Sequence, residues 1–464
     1  MPADTDQMIP LNARDLAAEP VRGLLPRFKS LLLSQKRNLQ NLSALVVFNF
    51  LAAGLFFVTQ VKIANVIGRE QFGLLAYGIA FGMYGQTIVR YGMDRTLVRD
   101  LIHYPERFSE LVVASLVLRG ILLTLVVAVL FAWKLIWQPA DLPWPVIAVI
   151  VAYSLKSLDL QPVYDAWHCM ARHAIYNAIQ RGLYFMLIWT VVLAGAKYLS
   201  LAWIAFALLA TEVLYLVLQQ RWAQRRITLS WNSLVWESLT KDLLGSNFWV
   251  WLAAVGLLSF GTLSQIFLKK YCGPRELGGY AAGWQIVGAV MLLLMQIARI
   301  GKPAMARVTR ESIYHAQQKW FLFKYCAVMV GTVLPICLML WLVPDVILRI
   351  CFTSEYAGSA NLLRVFGVYL LLFAVGVVAS QYVIVVRMEK VYLACVLAGS
   401  VVGIGLYVKL IPSYHAMGAA LALVGSHILA MVLYWIAAIS RVAHLKTSSM
   451  PEIELVTLGK GNKT

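Results

Sequence analysis

Long uninterrupted apolar runs, each about 20 residues in length, constrain the fold of this chain more than any other feature. A helix of that length crosses the roughly 30 Å hydrocarbon core of a bilayer and satisfies its own backbone hydrogen bonds there. Only 13% of the 464 residues are charged and 61% are hydrophobic, whereas about a quarter of the residues in soluble proteins are charged. The runs are continuous rather than alternating, which excludes a transmembrane β-barrel. The sequence therefore predicts an all-α polytopic membrane protein.

The apolar runs predict twelve spans in two sets of six. Their predicted bounds are 42–62, 72–91, 110–133, 143–162, 175–196, 200–220, 247–268, 279–299, 320–343, 361–382, 390–411 and 416–438. The connections are short except for 221–246, which separates the two sets. We therefore divide the chain into an N-terminal extension (1–38), an N-terminal bundle (39–220), a connector (221–246), a C-terminal bundle (247–440) and a tail (441–464).

Lysine and arginine are distributed unequally over the connections between the spans. With the N-terminus in the cytoplasm, the cytoplasmic side holds nearly three times as many of them as the opposite side. Lys269, Lys270 and Arg275 are exceptions to this rule. Both termini are therefore predicted to be cytoplasmic. The same distribution accounts for most of the net charge of +18, so the charge orients the protein and indicates no nucleic-acid partner.

Two similar stretches, "GREQFGLLAYG" (68–78) and "GPRELGGYAAG" (273–283), lie 205 residues apart. They connect spans 1 and 2 and spans 7 and 8, so the two halves have the same orientation and form parallel repeats, an arrangement found in transporters. A glycine in the turn accepts positive φ, and glycines further into the helix allow close helix approach. The repeated glycines are Gly68, Gly73, Gly78, Gly273, Gly278 and Gly283.

The motifs of two enzyme classes are missing. The sequence has no phosphate-binding loop of the G-x-x-x-x-G-K-[ST] type, which an ATP-driven pump needs. The longest predicted external connection, about 344–360, has only Asp345 and Glu355 as acids, which disfavours a membrane glycosyltransferase or polymerase. The six cysteines include no C-x-x-C pair, so neither a metal site nor a disulfide framework is indicated. We expect a transporter without enzymatic activity, cofactor or metal.

Charged residues inside the spans are candidate functional residues, because each costs about 2.5–3.5 kcal/mol at the bilayer centre. The excess of cations suits an anionic cargo such as a lipid diphosphate. The alternatives are a structural role for Arg119, and for the others a side chain that reaches the membrane surface. We expect loss of Arg119 to lower export without lowering abundance. The candidates for headgroup binding are Arg119, Lys324, Arg181 and Arg364.

Three further residues are candidates for coupling transport to an ion gradient. Glu212 and His427 lie near the middle of spans 6 and 12, at corresponding positions of the two halves, and His titrates close to neutrality. Asp159 follows Lys156 by three residues, and the two side chains could simply neutralise each other. The alternative for Glu212 and His427 is a polar contact between helices. We expect H⁺ or Na⁺ as the coupling ion.

Several stretches, in order along the chain from about 40 to 440, resemble bacterial oligosaccharide flippases of the polysaccharide biosynthesis (Wzx-like) family. They include "NVIGREQFGLLAYGIAFGMYGQTIVRYGMDRTLVRDL" (65–101), "QPVYDAWHCMARHAIYNAIQRGLYFML", "TSEYAGSANLLRVFGVYLLL" and "IPSYHAMGAALALVGSHILAMVLYW" (411–435). The resemblance implies the multidrug/oligosaccharidyl-lipid/polysaccharide exporter fold, with two six-helix bundles in a V. It also implies an undecaprenyl-diphosphate-linked oligosaccharide cargo, moved between leaflets of the bacterial inner membrane by alternating access. Membrane lipids and polysaccharide polymerase or assembly proteins are the implied partners.

Two relatives within the same superfamily are alternatives. Multidrug exporters often carry an acid in span 1, whereas span 1 here offers only Asn49 and Gln60. Lipid II flippases usually have fourteen spans, and no additional pair of spans follows residue 438. A polysaccharide polymerase or glycosyltransferase is the alternative from a different class.

Overall fold

The computed structural model describes residues 24–137, 142–167, 169–225, 243–311 and 315–443. Within those ranges every regular element is helical, and ten helices are long and apolar enough to cross a membrane. The helices are α1 (Leu24–Arg90), α2 (Met93–His103), α3 (Phe108–Trp137), α4 (Trp144–Leu155), α5 (Gln161–Ala166), α6 (Met170–Ala194), α7 (Leu201–Gln224), α8 (Ser246–Cys272), α9 (Pro274–Glu311), α10 (His315–Leu342), α11 (Pro344–Cys351), α12 (Ala360–Val385) and α13 (Glu389–Ala443). Most of the predicted N-terminal extension (1–23), connector (226–242) and tail (444–464) lies outside the described residues.

Two of these helices each contain two predicted spans. The 67 residues of α1 would measure about 100 Å if straight, several times the thickness of the hydrocarbon core. The backbone of α1 breaks at Gly68 (φ 79°, ψ 168°) and that of α13 at His415 (φ 52°, ψ −131°). The chain doubles back after His415, because the carbonyl of Leu410 lies against Gly418. Counting both breaks gives twelve spans among the described residues, which is the predicted number.

The repeated glycines bring the two halves into contact at one end of the molecule. Gly68 and Gly273 have almost the same conformation, with φ and ψ of 79° and 168° in the first and 86° and 173° in the second. A Cβ on Gly73 would lie 1.8 Å from the carbonyl oxygen of Pro274, and a Cβ on Gly278 would lie 1.8 Å from that of Arg69. Adding 205 to the first-half residue of each contact gives the second-half residue of the other: Gly73 corresponds to Gly278 and Arg69 to Pro274. A two-fold axis between parallel repeats requires this relation. We call this the glycine end.

The third glycine of each stretch packs inside its own half. A Cβ on Gly78 would meet Val149 of α4 at 3.1 Å, and one on Gly283 would meet Phe366 of α12 at 2.9 Å. These helices are the fourth spans of their halves, so corresponding contacts recur in both repeats. The structure therefore confirms the prediction that neighbouring helices approach closely at these glycines.

The fourth span differs from its prediction as one continuous helix over 143–162. It consists of α4, a 3₁₀ turn at Lys156–Leu158, an extended residue Asp159 (ψ 134°) and the short helix α5. Pro162 explains the break, because it has no N–H to donate to the carbonyl of Leu158 in a continuing helix. Broken helices inside a membrane require partners for the freed backbone groups.

Two short helices outside the predicted spans complete the fold. In α2, Met93, Leu97 and Leu101 are buried at a spacing of four residues, which places its apolar side against the protein. α11 follows span 9 at the glycine end, where the carbonyl of Cys351 accepts a hydrogen bond from Asn65 of α1 at 2.8 Å. Both helices join consecutive spans.

Candidate functional site

Arg119 fills the break in the fourth span. Its Nη1 donates to the carbonyl oxygens of Ser157 (3.1 Å) and Asp159 (3.0 Å), and its Nη2 lies 3.3 Å from the carboxylate of Asp94. Asp94 also accepts a hydrogen bond from Arg90 at 2.8 Å. The Arg119 side chain is 1% exposed, so it lies within the N-terminal half and does not line an open cavity. The geometry gives it a positioning role, in which it satisfies the carbonyls that the broken helix leaves free.

A pocket next to this break contains two cations and one acid. We call it the N-half pocket; its lining is formed by Ala152, Tyr153, Lys156, Arg181, Leu208 and Glu212. Gln180 donates to Glu212 Oε2 at 2.5 Å, whereas Glu212 Oε1 is buried without a hydrogen-bond partner among the described residues. The guanidinium of Arg181 lies 4.1 Å from the centroid of the Phe56 ring. Two of the predicted residues, Arg181 and Glu212, therefore lie in the same pocket.

Asp159 belongs to a separate polar cluster at the break. Its carboxylate oxygens both lie 3.1 Å from Nε2 of His173, and Oδ2 accepts a hydrogen bond from Tyr215 at 2.9 Å. The Tyr215 hydroxyl is also 2.9 Å from His173 Nε2. Sequence reasoning missed His173 and Tyr215, because one lies outside the predicted spans and the other is an uncharged residue inside an apolar run. We call Asp159, His173 and Tyr215 the triad.

Lys324 and Arg364 do not lie in the N-half pocket. Lys324 is an exposed residue of α10, with Nζ 4.9 Å from the ring centroid of Trp320. Arg364 is exposed near the start of α12, where it donates to Asn361 at 2.6 Å and to the carbonyl of Trp341 at 3.3 Å. Both positions match the alternative in which a long cationic side chain near a span end reaches the membrane surface.

His427 lies among aromatic rings of the C-terminal half. The ring centroids of Tyr369, Phe373 and Phe260 are 5.2, 5.9 and 6.0 Å from its own. Its Nε2 is buried without a hydrogen-bond partner among the described residues. Glu212 and His427 have different surroundings, and the structure does not bring them together.

At the glycine end, Arg69 connects the two halves. Its Nε donates to the carbonyl of Arg275 at 2.8 Å, its Nη2 lies 3.3 Å from Glu276, and its backbone N–H donates to Glu355 at 3.1 Å. Asn65 adds a second connection, since its Oδ1 accepts the backbone N–H of Thr353 at 3.0 Å. These contacts hold the first half against α9 and the segment after α11.

Solved structures with the same fold are membrane transporters. An inward-facing multidrug resistance MATE family transporter of the MOP superfamily is 14% identical over 87% of this chain and 98% of that chain, with a TM-score of 0.65. The lipid II flippase MurJ in an inward closed conformation is 13% identical over 86% and 89%, with a TM-score of 0.66. An outward-facing MATE family transporter is 12% identical over 88% and 96%, with a TM-score of 0.56. The chain therefore has the exporter fold of the MOP superfamily.

The sequence also shows the family within that fold class. Residues 38–309, more than half of the chain, match the family of polysaccharide biosynthesis proteins, and the chain belongs to this family. No curated protein matches the chain significantly. Family and fold resemble those of transporters and flippases rather than those of enzymes.

Proposed function

We propose that the protein is a flippase for undecaprenyl-diphosphate-linked oligosaccharide repeat units. It moves them from the inner to the outer leaflet of a bacterial cytoplasmic membrane, where surface polysaccharide (O-antigen, capsule or exopolysaccharide) is assembled. The observation that carries the proposal is the N-half pocket, in which Lys156 and Arg181 meet a single acid, Glu212, in a chain of the polysaccharide biosynthesis family.

The N-half pocket is proposed as the site of the diphosphate. The planar guanidinium of Arg181 suits bidentate phosphate contacts, and Lys156 adds a second positive charge. Such charge-assisted hydrogen bonds are about twice as strong as neutral ones, and a low local dielectric strengthens them further. Glu212 balances one of the two cations in the absence of cargo. The lipid tail remains in the bilayer while the glycan follows the path between the halves.

Alternating access is proposed to work through the contacts at the glycine end. The distribution of lysine and arginine predicts that this end lies on the non-cytoplasmic side and that both termini are cytoplasmic. The higher TM-scores with the inward-facing and inward closed structures, 0.65 and 0.66 against 0.56 for the outward-facing one, are consistent with closure on that side. Release of the cargo then requires the Arg69 contacts and the two glycine contacts to separate.

Deletion of the gene followed by lipid extraction tests the proposal. We expect single lipid-linked repeat units to accumulate on the inner leaflet and surface polymer to disappear, because polymerase and assembly proteins act after translocation. Normal polysaccharide with altered dye efflux would instead indicate a multidrug exporter. Repeat units that reach the outer leaflet but stay unpolymerised would indicate a polymerase.

Complementation of the deletion strain then tests the pocket. Lys156→Ala and Arg181→Ala should each lower polymer output while the protein remains in the membrane, because each removes a proposed phosphate contact. Lys324→Ala is the matched control, since Lys324 is exposed on α10 and does not line this pocket. Equal output from all three variants would contradict the assignment of the headgroup site.

A further inference from the structure

We propose that Asp159, His173 and Tyr215 form the proton-binding site that drives transport. This assignment rests on the proposed function, because the site binds the ion whose gradient drives the transport cycle. The three residues come from the break in the fourth span, from α6 and from α7. Asp159 is 3% exposed and Tyr215 is 2% exposed, whereas the side chain of His173 is 16% exposed. A proton therefore reaches the site from the imidazole side.

The geometry determines where the exchangeable proton is held. Nε2 of His173 faces both carboxylate oxygens of Asp159 at 3.1 Å, so it carries a proton and donates. Tyr215 donates its hydroxyl proton to Asp159 and accepts from the imidazole. A second proton on Nδ1 of His173 changes the net charge of the triad from −1 to 0 without breaking any of these hydrogen bonds. The triad can thus bind and release a proton as a preformed unit.

The same geometry favours H⁺ over Na⁺. A bound Na⁺ would be placed between the two carboxylate oxygens of Asp159, and that position is filled by the imidazole nitrogen. Hard cations prefer oxygen ligands, and here Oδ1 is already used by the backbone N–H of Gln161 at 2.8 Å. The imidazole nitrogen of His173 at this position carries a proton instead of coordinating Na⁺.

Charged and titratable groups surround the triad. Arginine stays protonated in proteins, and histidine is the side chain whose ordinary pKa lies between pH 5 and 8. The titratable groups that interact electrostatically with the triad from the surrounding elements are Arg90, Arg119, Lys156, Tyr164, Asp165 and Glu212. None of these is a second histidine.

A series of direct contacts connects the triad to the other half of the protein. Arg119 holds the backbone carbonyl of Asp159 and pairs with Asp94. Two residues further along α2, the hydroxyl of Thr96 donates to Asn247 of α8 at 2.5 Å, and both side chains are buried. This hydrogen bond joins the two halves away from the glycine end. A change of one charge at the triad acts on Arg119 and Asp94, and through them on the contact between the halves.

Distance measurements on the full-length protein in lipid vesicles test this proposal. Spin labels report the separation of the halves by double electron–electron resonance. The labels replace Ile102 of α2 and Trp249 of α8, whose side chains are 53% and 62% exposed. We expect two populations in the wild type whose ratio changes between about pH 5 and 8, by a factor of about 5 to 150. His173→Gln keeps a donor for Asp159 but does not titrate, so its ratio should be independent of pH. Asp159→Asn should have the same effect.

His103→Gln is the matched control, because His103 is exposed at the end of α2 and lies outside the triad. It should retain the pH response of the wild type. An unchanged response in His173→Gln, or no response in the wild type, would overturn the proposal. The gene-deletion experiment is independent of this result: accumulation of repeat units with a pH-insensitive protein refutes the proton site alone, and a pH-sensitive protein without such accumulation refutes the flippase function alone.

Discussion

Replacement of Gly278 by alanine should open the glycine end. The added Cβ would lie 1.8 Å from the carbonyl oxygen of Arg69, whereas an ordinary carbon–oxygen contact is about 3.3–3.6 Å. The contact atom belongs to the backbone, so no side-chain rotation relieves the clash. The two helices must therefore separate by roughly 1.5 Å at this point, given that contact distance.

The energetic effect follows from this overlap. Insertion of a methyl group into a tightly packed site costs about 1–3 kcal/mol, and this cost falls only on the state in which the glycine end is closed. The ratio of open to closed molecules should rise by about 5- to 150-fold, since about 1.4 kcal/mol corresponds to a factor of ten. Gly73→Ala should have the same effect, because its Cβ would lie 1.8 Å from the carbonyl of Pro274.

Labelling of Cys351 by a maleimide, in a protein without the other five cysteines, measures this opening. Burial at the glycine end raises the pKa of the Cys351 thiol, and only the thiolate reacts. In the closed state the labelling rate should therefore become appreciable only at higher pH. Opening exposes the thiol, returns its pKa toward the ordinary value and shifts the whole labelling profile to lower pH.

Gly288→Ala is the matched control on the same helix, because an added Cβ there meets no atom within 4 Å. Alanine favours a helix over glycine by about 1 kcal/mol, and this contribution is common to both variants. A Gly278→Ala protein that labels at the same rate as Gly288→Ala would refute the reasoning that the two halves are in contact through their glycines.

Three further predictions concern individual side chains. Arg119→Ala should lower the abundance of folded protein as well as export, because it leaves the carbonyls of Ser157 and Asp159 without their donor, while Asp94 keeps its pair with Arg90. Each buried unsatisfied group costs about 1–3 kcal/mol of unfolding free energy. Quantitative immunoblotting checks this, and normal abundance would restore the expectation from the sequence. Glu276→Gln should open the glycine end less than Gly278→Ala does, since it removes only the ion pair with Arg69 and exposed ion pairs contribute about 0.2–1 kcal/mol; Cys351 labelling compares the two. Tyr215→Phe should shift the midpoint of the pH response rather than abolish it, which the distance measurement detects as a displaced curve.

Much of the fold is predictable from the sequence because membrane spans are local features. A continuous apolar run of sufficient length must form a helix in lipid, whatever the remainder of the chain does. The positions of the spans and the parallel repeat around Gly68 and Gly273 follow from the printed residues alone. The break in the fourth span had one local signal, Pro162, but a proline in an apolar run indicates a kink as readily as a break.

The candidate site was less predictable. Arg119, Lys324 and Arg364 are all cations within apolar runs, yet one is buried against carbonyls and two are exposed. Depth in a span is fixed by the sequence, whereas the direction of a side chain around the helix axis depends on neighbouring helices. With apolar residues on every side of a membrane helix, the sequence pattern contains little information about that direction.

The sequence by itself determined the number of spans, the parallel orientation of the two halves and the places where glycine is required, because these depend on length, charge distribution and backbone conformation. Only the tertiary structure decided which charges meet: Arg119 with the freed carbonyls of the fourth span, Lys156 with Arg181 and Glu212, and Asp159 with His173 and Tyr215. The physical reason is that a buried charge needs partners at hydrogen-bond distance. Those partners come from helices that are distant in the chain and become neighbours only when the bundle packs.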